Sequence, residues 1–75
     1  MKADKTLDAK GLSCPMPIVK TKKAINELES GQILEVVTTD KGSKSDISAW
    51  VKSTGHDLLD VKEENGEFTF FIQKG

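Results

Sequence analysis

The dipeptide Asn65-Gly66 constrains the fold of this 75-residue chain more than any other feature. It separates two segments with strand-like patterning, Leu58 to Glu64 and Glu67 to Gln73. Asn-Gly is the pair preferred by two-residue type I′ turns, because both turn positions need positive φ. The last third of the chain is therefore predicted to form a β-hairpin.

A two-residue turn also fixes which residues of the two strands pair. Counting back from the turn, Val61 is predicted to pair with Phe70 and Leu59 with Ile72. These four side chains and Phe68 would then lie on one face of a sheet, as a true hairpin requires.

The first third of the chain predicts a strand followed by a helix. Thr6 to Ala9 alternates as a short strand does. Pro15 and Pro17 then begin a helical segment, and Ser30-Gly31 supplies its stop. The residues that recur at helical spacing are Ile18, Thr21, Ala24, Ile25 and Leu28.

The middle of the chain predicts a second strand and a second helix. Ile33 to Thr39 is β-rich and mostly apolar, as expected of a strand with neighbours on both sides. Asp40 to Gly42 is a turn, Ser43 to Asp46 resembles a capping box, and Gly55 ends the helix. Its apolar stripe consists of Ile47, Trp50, Val51 and Thr54.

The resulting order is β-α-β-α-β-β. A right-handed crossover would make the first two strands parallel, giving a mixed four-stranded sheet with both helices on one face. We therefore predict a two-layer α/β sandwich. Residues 1–75 are expected to form one domain with an ordered core of about residues 6–73, since domains usually run ~100–150 residues.

Composition excludes several classes of protein. One cysteine and one histidine cannot form a disulfide or complete a zinc site within the chain. The chain has no arginine, so it cannot read bases or phosphates bidentately, and no direct nucleic-acid binding is expected. No apolar run approaches the ~18 residues that span a bilayer. The prediction is a cytoplasmic, monomeric protein without a cofactor, whose thiol stays reduced.

The single cysteine lies in the sequence Gly-Leu-Ser-Cys-Pro-Met-Pro. Because Pro15 suits the first helical position, Cys14 is predicted to be the N-cap. The amide of Met16 and the positive end of the helix dipole would then favour the thiolate and lower the thiol pKa. A buried, inert thiol is the alternative. The position at a helix end, outside any apolar periodicity, favours a reactive cysteine held by Pro15 and Pro17.

Charges are distributed unevenly along the chain. Residues 1–23 contain six lysines and two acids, whereas residues 24–75 contain five lysines and ten acids. The dipole favours acids in the first turns of a helix, yet the first helix has no acid before Glu27 and carries Lys20, Lys22 and Lys23 instead. These lysines have two interpretations. They form a cationic collar around a reactive anion or around the docking surface of an acidic partner, or they are a solvated helix face.

Three other residues have functional and structural interpretations. His56 follows a helix-ending glycine and is interpreted as part of the turn into the third strand, with a base or ligand role as the alternative. Trp50 is interpreted as core. Asp40 ends the second strand, where ligand sites of α/β proteins collect, but a turn role is favoured.

Taken together, these residues resemble the TusA/SirA family of small sulfur-carrier proteins over nearly the whole chain, from Leu7 to Ile72. The residues that carry the resemblance are Leu7-Asp8, Gly11-Leu12, Cys14-Pro15-x-Pro17, Gly31, Asp40, Asp46-Ile47 and Gly55-His56.

The resemblance implies the two-layer sandwich and a persulfide on Cys14. The sulfur would come from a cysteine desulfurase or a rhodanese-type donor and pass to an acceptor protein, with Pro15 and Pro17 as the structural frame. Met16, Lys41 and Ser45 depart from the pattern of the tRNA-thiolation branch. Thiosulfate uptake, sulfur oxidation and selenium metabolism are the other pathways that the family serves.

Two hypotheses of different class follow. The first is a sulfurtransferase that relays sulfur covalently through Cys14. The second is a non-catalytic interaction or regulatory module in which Cys14 only caps a helix.

Overall fold

A computed structural model describes residues 3–12 and 16–75. The predicted β-α-β-α-β-β order is confirmed. The elements are β1 (Lys5–Ala9), α1 (Met16–Asn26), β2 (Ile33–Thr38), α2 (Ser43–Thr54), β3 (Asp57–Glu64) and β4 (Glu67–Gln73).

The strands form one mixed sheet in the order β1-β2-β4-β3. β1 and β2 are parallel, as the helical crossover between them requires, and β4 is antiparallel to both β2 and β3. Helix α1 packs against β1 and β2, and α2 packs against β3 and β4. The predicted two-layer α/β sandwich is therefore confirmed.

The core lies between the helices and one face of the sheet. Strand β2 shows the expected alternation, because Leu34, Val36 and Thr38 are buried and their neighbours are half-buried. The largest fully buried side chain is Phe70. The helices contribute Ala24 and Ile25 from α1 to the same cluster, together with Ile47 and Val51 from α2.

The hairpin turn has the predicted backbone conformation. Asn65 has a φ of 51° and Gly66 a φ of 79°, so both turn positions are left-handed. Val61 pairs with Phe70, which confirms that part of the predicted register.

The predicted pairing of Leu59 with Ile72 is wrong. Leu58 pairs with Ile72, and Asp60 pairs with the preceding residue, Phe71, so Leu59 is an extra residue in a β-bulge. The side chain of Leu59 is 40% exposed. A bulge places two residues opposite one, so a register counted from the turn fails beyond it.

The predicted capping box at the start of α2 is also wrong. Gly42 is the N-cap, and no side chain caps the helix. Ser43 already lies in α2, where its buried hydroxyl donates to the carbonyl of Asp40 at 2.6 Å. The same oxygen lies 2.6 Å from Oγ1 of Thr38. The buried Thr38 hydroxyl needs a partner, and that tertiary demand determines where Ser43 points.

Two element ends fall short of the predicted positions. Helix α1 ends at Asn26. Beyond it, the amides of Glu27 and Leu28 bond the carbonyls three residues back, at 3.1 Å each, which tightens the last turn. Leu28 is still buried. Strand β2 ends at Thr38, one residue before the predicted end.

Candidate functional site

The cysteine predicted to be reactive, Cys14, lies with Ser13 and Pro15 outside the described residues. The prediction that Cys14 is a helix N-cap falls in the same segment. Leu12, which follows β1, and Met16, which begins α1, border it on either side. The segment therefore joins the carboxyl end of β1 to the amino end of α1.

The loop before the cysteine is hydrogen-bonded to both parallel strands. Gly11 has a φ of 79° and donates its amide to Oγ1 of Thr39, just beyond β2, at 2.9 Å. The amide of Leu12 donates to the carbonyl of Ala9 at 3.3 Å. These bonds hold the loop at the carboxyl ends of β1 and β2, the sheet edge where α/β proteins bind ligands.

On the helix side, Pro17 anchors the chain after the cysteine. Pro17 is fully buried, and its carbonyl accepts a hydrogen bond from Oγ1 of Thr21 at 2.6 Å. Proline lacks an amide hydrogen, which costs nothing in the first turn of a helix because those amides have no helical acceptor. The position of Pro17 is therefore consistent with the predicted role as part of a structural frame.

Two large apolar side chains are exposed next to this segment. Met16 is 42% exposed and Val19 is 51% exposed. They are three residues apart, so they lie on the same side of α1. Sequence reasoning missed Val19, and its only signal was that it falls outside the apolar stripe of the helix. The pair gives the first turn of α1 an exposed apolar surface, starting two residues after Cys14 in sequence.

The three lysines of α1 do not share one surface. Lys20, Lys22 and Lys23 are all exposed. Lys20 and Lys23 line a cleft between α1 and β1, together with Lys5. Helical geometry places Lys22 about 160° around the helix from Lys20. A cationic collar around the thiol stays a prediction, but the helix divides these lysines between two directions.

Asp40 has the contacts of a turn residue. Its carbonyl accepts hydrogen bonds from both the amide of Ser43, at 3.1 Å, and the hydroxyl of Ser43. Its Oδ1 accepts from the amide of Gly42 at 3.3 Å. Asp40 directly follows Thr39, which holds the loop before Cys14. A role for Asp40 in the chemistry stays a prediction.

His56 and Trp50 lie together near the start of β3. Nδ1 of His56 accepts a hydrogen bond from the amide of Gly75 at 3.0 Å. The two rings are 5.6 Å apart between centroids. Trp50 is half-buried and packs against the core, as predicted. These contacts give both residues structural roles.

Neither metal ligands nor a membrane-spanning helix were found in the part of the chain that the structure describes. Over residues 3–12 and 16–75, no three His, Cys, Asp or Glu side chains are grouped closely enough to hold a metal ion. Within the same ranges, no helix is long and apolar enough to cross a membrane.

A sequence profile of the family described as Sulfurtransferase TusA matches residues 5–74. The chain belongs to this family. The sulfur carrier protein TusA of Allochromatium vinosum is 51% identical over 71 residues, which cover 95% of this chain and 93% of that protein.

Other relatives support the same assignment. YrkI of Bacillus subtilis is 69% identical over 75 residues, and the match covers all of both chains. YrkF of the same organism is 55% identical over 75 residues, although these make up only 40% of its length. A SirA-like protein of Desulfitobacterium hafniense has the same fold, with a TM-score of 0.83 and 29% identity, covering 95% of this chain and 97% of that one.

Proposed function

We propose that this chain carries sulfur as a persulfide on Cys14 and transfers it from a donor protein to an acceptor protein. The observation that carries the proposal is that the chain belongs to the TusA family and has a single cysteine, in the sequence Cys-Pro-Met-Pro. Relatives that are named sulfur carrier proteins support the carrier role.

The transfer is two successive displacements at sulfur. The thiolate of Cys14 attacks the terminal sulfur of a donor persulfide; a new S–S bond forms and the donor S–S bond breaks. The electron pair of the broken bond stays on the donor, which leaves as a thiolate. An acceptor thiolate then attacks the terminal sulfur on Cys14, and Cys14 leaves as a thiolate. The relay needs no external oxidant or reductant.

A single cysteine suits a carrier. A second thiol nearby would attack the inner sulfur of the persulfide, close a disulfide and release the cargo as sulfide. The chain contains no other cysteine, so no thiol of the same chain can discharge the persulfide.

The described residues that flank Cys14 in sequence support protein partners. The exposed pair Met16 and Val19, which follows the cysteine in sequence, provides an apolar contact surface for a partner. The loop on the other side is held by the Gly11–Thr39 hydrogen bond. The donor would be a cysteine desulfurase or a rhodanese-type protein, and the acceptor a protein thiol of a sulfur-trafficking pathway such as tRNA thiolation or thiosulfate use.

Mass spectrometry of the intact protein tests the proposal. After incubation with a cysteine desulfurase and cysteine, without reductant, we expect an adduct of about 32 Da, one sulfur atom. The Cys14→Ser protein should remain unmodified. A parallel reaction with thiosulfate and a rhodanese identifies the donor class. If neither donor gives an adduct on the parent protein, the relay is refuted and the non-catalytic interaction module is favoured.

A further inference from the structure

We infer that the cleft between α1 and the edge strand β1 binds an acidic, extended segment of a partner protein, which adds to the sheet as a fifth strand. The inference concerns binding alone and does not require sulfur on Cys14. Three observations on these elements carry it: an open strand edge, a basic lining and an apolar floor.

The first observation is the open edge. Among the described residues, β1 is an outer strand of the sheet and pairs only with β2. The pairing runs without interruption from Lys5 to Ala9. An edge strand presents unpaired N–H and C=O groups on its outer side, which another extended segment can use. The other edge strand, β3, is interrupted by the bulge at Leu59 and carries four acids, so it is protected against such pairing.

The second observation is the charge of the cleft, whose volume is about 110 Å³. Lys5, Lys20 and Lys23 line it, and Glu27 is the only acid among the lining residues. Nζ of Lys5 bonds both carboxylate oxygens of Glu27, at 3.0 and 3.1 Å. That pair leaves the charges of Lys20 and Lys23 without a counterion among the lining residues. The cleft therefore favours a segment with carboxylates.

The third observation is the cleft floor. Leu7, half-buried on β1, and Ala24, buried on α1, are the apolar residues that line the cleft together with the lysines. A strand added beside β1 would direct alternate side chains toward α1. A segment that matches the cleft therefore carries, among the side chains directed toward α1, two acids that flank one apolar residue. A second copy of this chain fits less well, because joining two β1 edges would bring both sets of lysines together.

An NMR titration of 15N-labelled Cys14→Ser protein tests this inference separately from sulfur transfer. The probe is the peptide acetyl-Thr-Glu-Thr-Val-Thr-Glu-Thr-amide. We expect the largest amide shift changes in Lys5 to Ala9 and around Lys20 and Lys23. A peptide with lysine in place of glutamate should not bind, nor should one N-methylated at alternate residues, which loses donors needed for strand pairing.

Matched variants on one helix complete the test. Lys20→Gln/Lys23→Gln should weaken peptide binding on the order of three- to tenfold, since each exposed ion pair contributes modestly. Lys22→Gln, which removes one positive charge outside the cleft where the double variant removes two within it, should change binding less than about twofold. Equal weakening by Lys22→Gln, shifts confined to other elements, or no shifts at millimolar peptide would overturn the inference. So would concentration-dependent shifts in β1 without peptide, which would identify a second copy as the occupant.

Discussion

Single residues in this protein act mainly through contacts that the fold completes. The hydroxyl of Ser43 shows this, because it is buried between Thr38 and the Asp40 carbonyl. The sequence pattern predicts a helix cap at Ser43 from local preference alone. A local motif cannot reveal that a strand one turn away has a buried hydroxyl in need of a partner.

Ser43→Ala should lower the free energy of unfolding by about 1–3 kcal/mol, because it leaves a buried polar group short of a partner. Chemical denaturation measures this change. Ser53→Ala is the matched control, since the Ser53 hydroxyl also bonds a carbonyl, that of Ala49, but is exposed. The control should change stability much less. Equal effects would show that the buried hydroxyl pair contributes nothing beyond an ordinary helix-surface bond.

The thiol of Cys14 should have a pKa below the usual value of about 8.5, because the residue precedes the N-terminus of α1 and because the predicted lysine collar would favour the thiolate. Reactivity toward iodoacetamide, measured from about pH 5 to 10, gives that pKa. Lowering the pKa increases the thiolate fraction at neutral pH, so alkylation should begin at lower pH than for free cysteine. A midpoint at or above the free value would show that neither dipole nor lysines act on the sulfur.

At the scale of elements, local sequence signals predicted the order of strands and helices and the turn that joins the last two strands. Asn65-Gly66 could be recognised because the positive φ of the turn is required of these two residues alone and does not depend on distant contacts. The bulge at Leu59 could not, because an apolar residue fits either face of a strand pattern. The candidate site shows the same division. The motif indicated Cys14, whereas the Gly11–Thr39 bond and the exposed Val19 depend on how the elements pack.

Replacing Asn65-Gly66 by Ala-Ala should destabilise the protein by about 1–2 kcal/mol, since both positions have positive φ. In a protein of this size, that loss should lower the melting temperature by several degrees, roughly 4–8 °C per kcal/mol. Thermal unfolding followed by circular dichroism measures it. Lys44-Ser45→Ala-Ala, at exposed positions of α2, controls for the loss of polar side chains. An unchanged melting curve for the turn variant would contradict the turn's role in stability.

For the whole molecule, charge should govern how fast partners associate. Exposed lysines near an encounter surface mainly raise the association rate, and salt screens them over about 8 Å at physiological ionic strength. The lysines of α1 are exposed, so replacing them does not alter the buried face of the helix. Their effect can therefore be separated from folding.

Sulfur transfer to Cys14 should slow as salt rises. Replacing Lys20, Lys22 and Lys23 together by glutamine should reproduce most of that slowing in low salt, because the removed charges no longer steer the donor. Rates of persulfide formation over a range of salt concentrations provide the measurement, and an unchanged melting temperature shows that the variant is folded. If it accepts sulfur at the parent rate in low salt, the lysines are only a solvated helix face.

The two outer strands give the molecule an electric dipole along the width of its sheet. The basic cleft borders β1, whereas Asp57, Asp60, Glu63 and Glu64 lie on β3 at the opposite edge, about 14 Å away across three strand spacings. A net charge of only −1 hides this separation. In the field of a charged partner the molecule should therefore rotate before it touches, turning the edge that holds β1 toward acidic surfaces and the edge that holds β3 away from them.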